Sequence, residues 1–245
     1  MHTAPIRLLP IDGAFNIRDL GGYAHAGGET RWRRILRGDG LHRLTPQGIE
    51  DLVAAGVVMV VDLRHDDELA SHPNPFRDHD AVTYRHLSLF EDLAPAAMTG
   101  GDVLLDLYIE ALERRGAAIA GILAALADGP AGTVLFHCTA GKDRTGLIAA
   151  LILAVAGVDA ATIVEDYART GTHIAPLLAT ILAEAEARGM DPEGLRPLLA
   201  CEPLTMARTL EHIERRWGSA DGYLAAIGLD AATATRLRAR LLEDV

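Results

Sequence analysis

Cys138 and Arg144 bracket five residues in the run His137-Cys-Thr-Ala-Gly-Lys-Asp-Arg-Thr-Gly146. A thiol and a guanidinium at that spacing suit nucleophilic chemistry on an oxyanion. The apolar run from Thr133 to Phe136 predicts a short buried strand, and Leu147 to Val155 predicts a helix. A strand that breaks into a small glycine-containing loop before a helix turns several backbone N–H groups into one concavity. That concavity lies at the positive end of a helix dipole and binds anions. Helix N-termini and nearby cations also favour the thiolate form of a cysteine. A guanidinium beside it can grip two phosphate oxygens at once. The combination predicts a cysteine-dependent phosphatase acting without metal or other cofactor. The competing reading is an inert buried cysteine at a strand end. Gly141, Thr145 and Gly146, at the spacings such a loop needs, weigh against it.

The elements that must hold this loop can be read along the chain. Trp32 to Leu36 reads as a strand and Arg37 to Gly40 as a turn, while Arg18 and Asp19 read as a surface ion pair or as part of a site. Thr45 and Pro46 start a helix as N-cap and first residue, and Gly56 stops it. Val57 to Val61 is a β-branched run expected of an inner parallel strand, leaving Asp62-Leu-Arg64 at the carboxyl edge, where open α/β sheets carry their sites. His65 to Glu68 reads as the acidic first turn of a helix; a metal cluster there lacks a matching ligand pair. His72 to Asp80 and Phe90 to Gly101 read as loops, and Val82 to Leu89 as a strand. Asp102 to Ala127 has helical periodicity with a break at Gly116. After Phe136 only helices are expected, with Asp159, Thr172 and Asp230 as N-caps and Gly171, Gly189, Gly218 and Gly228 as stops. The fold class is therefore α/β: a central, mainly parallel four- to five-stranded sheet flanked by helices, with a helical C-terminal third, in one domain over residues 1–245.

A net charge of −11 argues against nucleic acid as partner, because its backbone calls for a basic surface. Cys138 and Cys201 are the only cysteines, too few for a disulfide framework, and a catalytic thiol suits a reducing compartment. Cys201 reads as a small buried side chain, with a regulatory disulfide to Cys138 as the lesser alternative. Met1 to Pro10 lacks a basic segment followed by an apolar core, so no ordinary secretory signal is read there. The most apolar run, Leu147 to Val158, falls short of the ~20 residues that span a bilayer. These features predict a cytoplasmic protein without an integral membrane segment, leaving leaderless export open and saying nothing of oligomeric state.

The string HCTAGKDRTG resembles the signature loop of the cysteine-dependent protein tyrosine phosphatase superfamily. More narrowly, it is similar to a bacterial tyrosine phosphatase family of dual or triple specificity, which acts on phosphoproteins and phosphoinositides. The segments Phe15-Asn-Ile-Arg-Asp-Leu-Gly-Gly22 and Asp62-Leu-Arg64 are typical of the same family. The resemblance implies that the first segment frames the active-site side of the sheet. It also implies a helical lid near the site, for which residues 159–200 are the candidate against simple extra packing. The implied partners are phosphotyrosine or phosphoserine/threonine proteins, or phosphoinositides. A sulfurtransferase or arsenate reductase sharing an anion-binding cysteine loop, and a phosphate-binding module without turnover, are the rival classes.

The residues then take roles. Cys138 attacks phosphorus and water releases phosphate from the cysteinyl-phosphate, dividing one slow reaction into two. The phosphate-binding set is Thr139, Ala140, Gly141, Lys142, Asp143, Arg144 and Thr145, through backbone N–H groups and the Arg144 fork. Gly141 permits a backbone angle that other residues resist, and Thr145 is expected to donate its hydroxyl to the sulfur. His137 tunes the loop by hydrogen bonding and is no base for Cys138, since adjacent strand residues face opposite ways. The leaving oxygen needs a proton from a carboxylic acid. Asp143 ranks first, as some relatives use an Asp there as acid or to orient water. Asp62 ranks second, with holding Lys142 or Arg144 as its other role, and Asp92 third, where the superfamily has a mobile acid loop. Lys142 either meets a second phosphate, as on an inositol lipid, or pairs with Asp143 or Asp62.

Overall fold

The structure, a computed structural model, describes residues 6–91, 102–187, 189 and 191–242. Its centre is a five-stranded sheet built from β1 (Arg18–Asp19), β4 (Ile35–Gly38), β5 (Val57–Asp62), β6 (Thr83–His86) and β7 (Thr133–His137). A separate hairpin joins β2 (Ala24–His25) to β3 (Gly28–Glu29). The spatial order is β1-β4-β7-β5-β6, with β1 antiparallel to β4 and every other pairing parallel. The strand that leads into the cysteine loop is thus the middle one.

Residues alternate between two apolar layers, as a sheet covered on both faces requires. Ile35, Met59, Val61, Val134 and Phe136 join the larger core, and Leu36, Val60 and Leu135 join the smaller one. The smaller core is closed by α1 (Pro46–Ala54), the N-terminal residues Leu9 and Ile11, and Phe76. Thr45 caps α1 by accepting from the Gly48 N–H at 3.2 Å, with Pro46 at the first position. The larger core is closed by α3 (Val103–Arg114), α4 (Gly116–Ala127), α5 (Asp143–Val155), α6 (Ala160–His173), α9 (Pro203–Trp217), α10 (Ala220–Ala226) and α11 (Ala231–Leu242). Two further helices, α7 (Ala175–Ala187) and α8 (Pro192–Leu199), follow α6, and α2 (Asp66–Ser71) follows β5. Asp102 and Asp159 cap α3 and α6 as their sequence positions predict. Helix α5 is buried on all sides from Thr145 to Leu153, which accounts for its unbroken apolar run.

Several boundaries differ from the sequence reading, and two of them bear on the site and its surroundings. Arg37 and Gly38 belong to β4 and not to a turn, because this strand ends against the cysteine loop and its last residues serve the site. Helix α6 continues through Gly171 and Thr172, so these are neither stop nor cap. A Cβ at Gly171 would sit 3.3 Å from the Cys201 Cβ: the glycine makes room for a neighbouring chain segment. No helix among the described residues is long and apolar enough to cross a membrane.

Candidate active site

Gly38, His137 and Asp62 lie level at the carboxyl ends of β4, β7 and β5. Cys138 follows at this edge, 2 % exposed, and shares the larger core with Val134 and Phe136. His137 faces the other way, as the strand alternation predicts. Its Nδ1 donates to the Cys138 carbonyl at 2.9 Å, and its Nε2 lies 2.8 Å from Asn74 Nδ2.

The loop then turns sharply. Gly141 has φ +66°, and a Cβ there would meet the Gly38 carbonyl oxygen at 2.6 Å, so both conformation and space require glycine. The Thr139 carbonyl accepts from the Gly40 N–H at 2.9 Å. The Gly141 carbonyl accepts from Arg37 Nη2 at 2.8 Å and from Asn16 Nδ2 at 3.3 Å. Helix α5 begins at Asp143, and Gly146 N–H donates to the Lys142 carbonyl at 2.7 Å. The N–H groups of Asp143, Arg144 and Thr145 precede that bond and belong to the anion-attracting end of the helix.

Arg144 projects from the first turn of α5 and is gripped by Glu68. Its Nη1 lies 2.5 Å from Oε2 and its Nη2 3.0 Å from Oε1. Glu68 also accepts from the Thr139 hydroxyl and, at 2.8 Å, from the His65 N–H. Burial pushes the Glu68 carboxyl up, but the Arg144 hydrogen bonds and charge outweigh it and bring its pKa down to about 2. Burial alone would lower Arg144; Cys138 and Glu68 more than offset this and raise it. The acidic turn His65–Glu68 is therefore more than a dipole match, since its third carboxylate serves the loop.

Beneath Gly141 lies a wholly buried polar layer. Asp166, on α6, accepts from Arg37 Nη1 at 2.5 Å, from the Tyr23 hydroxyl at 2.7 Å and from Arg18 Nη2 at 3.3 Å. Arg18 also donates to Asn16 Oδ1 and to the Asp166 carbonyl at 2.8 Å. Burial drives the Arg18 pKa down to about 10. Burial would raise Asp166, but Arg37 and Arg18 keep it well below the usual carboxylate range. Arg18 and Asp19 form no surface pair: both are buried, and Asp19 instead accepts from the N–H groups of Gly21 and Arg33, each at 2.9 Å. The FNIRDLGG segment thus supports the loop from below.

The three candidate acids separate. Asp143 is a quarter exposed, with Oδ1 2.6 Å from Lys142 Nζ and 2.6 Å from the Tyr108 hydroxyl. Asp62 is fully buried and holds neither Lys142 nor Arg144. Its partners include Arg64 (Nη2 at 2.7 Å, Nε at 2.9 Å), Asn74 Nδ2 at 2.9 Å and the Tyr84 hydroxyl at 3.2 Å, with His137 Nε2 3.3 Å away. Burial would raise its pKa, but His137 and Arg64 hold it far below the carboxylate range. Asp92 lies outside the described residues. Lys142 is 2 % exposed, and its ammonium also donates to the carbonyls of Leu198 at 3.0 Å and Ala200 at 2.9 Å. The Thr145 hydroxyl is directed at the Gly38 carbonyl, 3.5 Å away, in place of the expected bond to sulfur. Ala140 is half-buried in the loop, and Cys201 packs against Gly171, with burial pushing its thiol up to about 11.

Sequence reasoning missed Glu68, Arg37, Asp166, Tyr108, Tyr167 and Asn74 as parts of this site. One signal was available for Asp166: it shares the buried stripe Ile163, Asp166, Tyr167 and Thr170, where a carboxylate needs a buried partner.

The chain matches the profile of the tyrosine phosphatase family over residues 9–243. It is 34 % identical over 237 residues to a provisionally named tyrosine-protein phosphatase of Cupriavidus necator, covering 91 % of this chain and 85 % of that one. A tyrosine-protein phosphatase of Nostoc commune is 33 % identical over 217 residues, covering 84 % and 74 %. The triple specificity protein phosphatase PtpB of Mycobacterium tuberculosis is 31 % identical over 284 residues, covering 97 % and 99 %. Among solved structures, TpbA of P. aeruginosa in complex with pTyr overlays with a TM-score of 0.38 at 21 % identity, covering 78 % of this chain and 94 % of that one. With a family match over nearly its whole length, and with Cys138 and Arg144 on the loop that begins α5, this chain belongs to the tyrosine phosphatase family.

Proposed function

We propose that this enzyme hydrolyses phosphotyrosine on proteins through a cysteinyl-phosphate, with Cys138 as nucleophile and Arg144 and the loop N–H groups as the phosphate site. The observation that carries this reading is the placement of Cys138 at the end of the middle strand, directly before the N-terminus of α5. Cys138 Sγ bonds to phosphorus while the ester P–O bond breaks, and Asp143 gives its proton to the leaving oxygen. Water then attacks phosphorus, Asp143 takes a proton back, and the P–S bond breaks to restore the thiolate. Stabilisation of the equatorial oxygens and alignment provide most of the catalysis. Asp62, closed off by Arg64, Asn74 and Tyr84, is an anchor for the sheet edge and takes no part in proton transfer.

Activity toward phosphoserine/threonine and phosphoinositides is the second reading, drawn from the triple specificity of the mycobacterial relative. The position of Lys142 favours the protein substrate: with Asp143 and two carbonyls on its ammonium, it is committed to the protein. The lid candidate narrows to α7 and α8 of the single domain, because Asp166 ties α6 into the buried layer. A phosphate-release panel of phosphotyrosine and phosphoserine peptides and phosphoinositide vesicles, run with chelator, tests the assignment. Phosphotyrosine peptide is expected to be the best substrate, and Cys138→Ser to remove turnover by a factor on the order of 10⁴ or more. Turnover that survives Cys138→Ser would overturn the mechanism.

A further inference from the structure

Two tyrosines from distant helices converge on the loop carboxylate. The Tyr108 hydroxyl, from α3, lies 2.6 Å from Asp143 Oδ1 and 2.9 Å from the Tyr167 hydroxyl of α6. Both side chains are buried, and their rings meet edge-on, 6.2 Å between centroids at 85°. Each hydroxyl has one proton, and an ionised carboxylate only accepts. Tyr108 therefore donates to Asp143, and Tyr167 donates to Tyr108. Burial, and then the charge of Asp143, raises the Tyr108 phenol well above its usual range, which keeps that proton in place. Such a chain polarises each member toward the carboxylate. A second observation ties Tyr167 to the loop: a Cβ at Gly146 would stand 2.9 Å from the Tyr167 ring, so the last glycine of the signature string opens the space the ring occupies.

We propose that Tyr108, backed by Tyr167, is a positioning residue that fixes which oxygen of Asp143 handles the proton. Oδ1 receives both the phenol and the Lys142 ammonium, so the proton that passes to the leaving group is carried on Oδ2. The inference rests on the reading of Asp143 as the acid. The plainer alternative is that the two rings only fill the core between α3, α5 and α6. Packing and proton positioning make different kinetic predictions. A packing defect slows all substrates by one factor, whereas a misaimed acid penalises substrates in proportion to the basicity of their leaving group.

The test is a series of aryl and alkyl phosphates of graded leaving-group basicity, measured for the full-length wild type, Asp143→Asn, Tyr108→Phe and Tyr167→Phe. If Asp143 is the acid, Asp143→Asn loses on the order of 10²-fold or more in kcat for the most basic leaving groups and little for the most acidic. Tyr108→Phe is expected to follow the same slope with a smaller span, about tenfold at the basic end, with KM nearly unchanged. Tyr167→Phe, which keeps the Tyr108 donor, is expected to fall between Tyr108→Phe and wild type. A flat series for Asp143→Asn overturns the acid assignment and this inference together. A steep series for Asp143→Asn with a flat one for Tyr108→Phe overturns the positioning role alone. Should Tyr108→Phe fail to fold, a flat series for a folded Tyr167→Phe overturns the relay.

Discussion

Two arginine–carboxylate assemblies touch opposite ends of one loop, and their surroundings differ. At the Thr139 end, Arg144 and Glu68 are 12 % and 28 % exposed and share hydrogen bonds with a hydroxyl and a backbone N–H. At the Gly141 end, Arg18, Arg37 and Asp166 are at most 2 % exposed. An ion pair nearer to water gains less and exchanges partners more readily. A buried one is costly to assemble but far more costly to break, because the orphaned charge cannot reach solvent. On the proposed reading of Arg144 as a phosphate ligand, the rim pair is suited to an exchange in which phosphate competes with Glu68 for the guanidinium. The buried assembly is suited to holding the loop still while that happens.

The sharpest way to break this contrast is Asp166→Asn. It leaves two buried guanidiniums without their anion and is expected to cost about 3–5 kcal/mol in chemical denaturation, with phosphatase activity lost alongside. A loss of under roughly 1 kcal/mol would mean the buried assembly behaves like a surface pair. Gly141→Ala is expected to come next, at about 1–3 kcal/mol, since it forces a positive φ and a clash with the Gly38 carbonyl. It should also weaken inhibition by vanadate, through the displaced loop; unchanged inhibition would show that the turn is not needed for the phosphate site.

Glu68→Gln should cost about 1–3 kcal/mol at neutral pH, the upper end being what its depressed pKa implies, while altering vanadate affinity. Its pH dependence has a definite sign. The Glu68 pKa falls from 4.5 to about 2 on folding, so its contribution is complete above 4.5 and fades as pH drops toward 2. The stability gap between wild type and Glu68→Gln should therefore be constant above that range and close below it. A gap that widens on acidification would contradict the assigned pairing.

How much of this was visible in the sequence follows from where each residue's partners lie. The placement of Cys138, Gly141 and Arg144 was legible because all three lie within one short turn between a strand and a helix. Thr45, Asp102 and Asp159 were legible for the same reason, since a cap bonds to the helix it opens. Glu68 and Asp166 bond to arginines 76 and 129 positions away, a pairing that only the strand order creates. Arg37 was misread as part of a turn because polar residues and glycine at a strand end look like a loop. Lys142 had two readings, and its bonds to the carbonyls of Leu198 and Ala200, 56 and 58 positions on, were not visible in the sequence. Asp62 drew attention through its place at the sheet edge; its bonds there to Asn74 and Tyr84 come from segments 12 and 22 positions away.

The middle strand adds a constraint that loop motifs alone do not express. Val134, Phe136 and Cys138 share the larger core, and Leu135 belongs to the smaller one, so the sulfur's direction is a matter of phase along β7. A single residue inserted or deleted within that strand would leave HCTAGKDRTG intact in sequence yet exchange the faces of cysteine and histidine. The signature is thus defined as much by its distance, counted in odd and even steps, from the strand's first core contact as by its own letters.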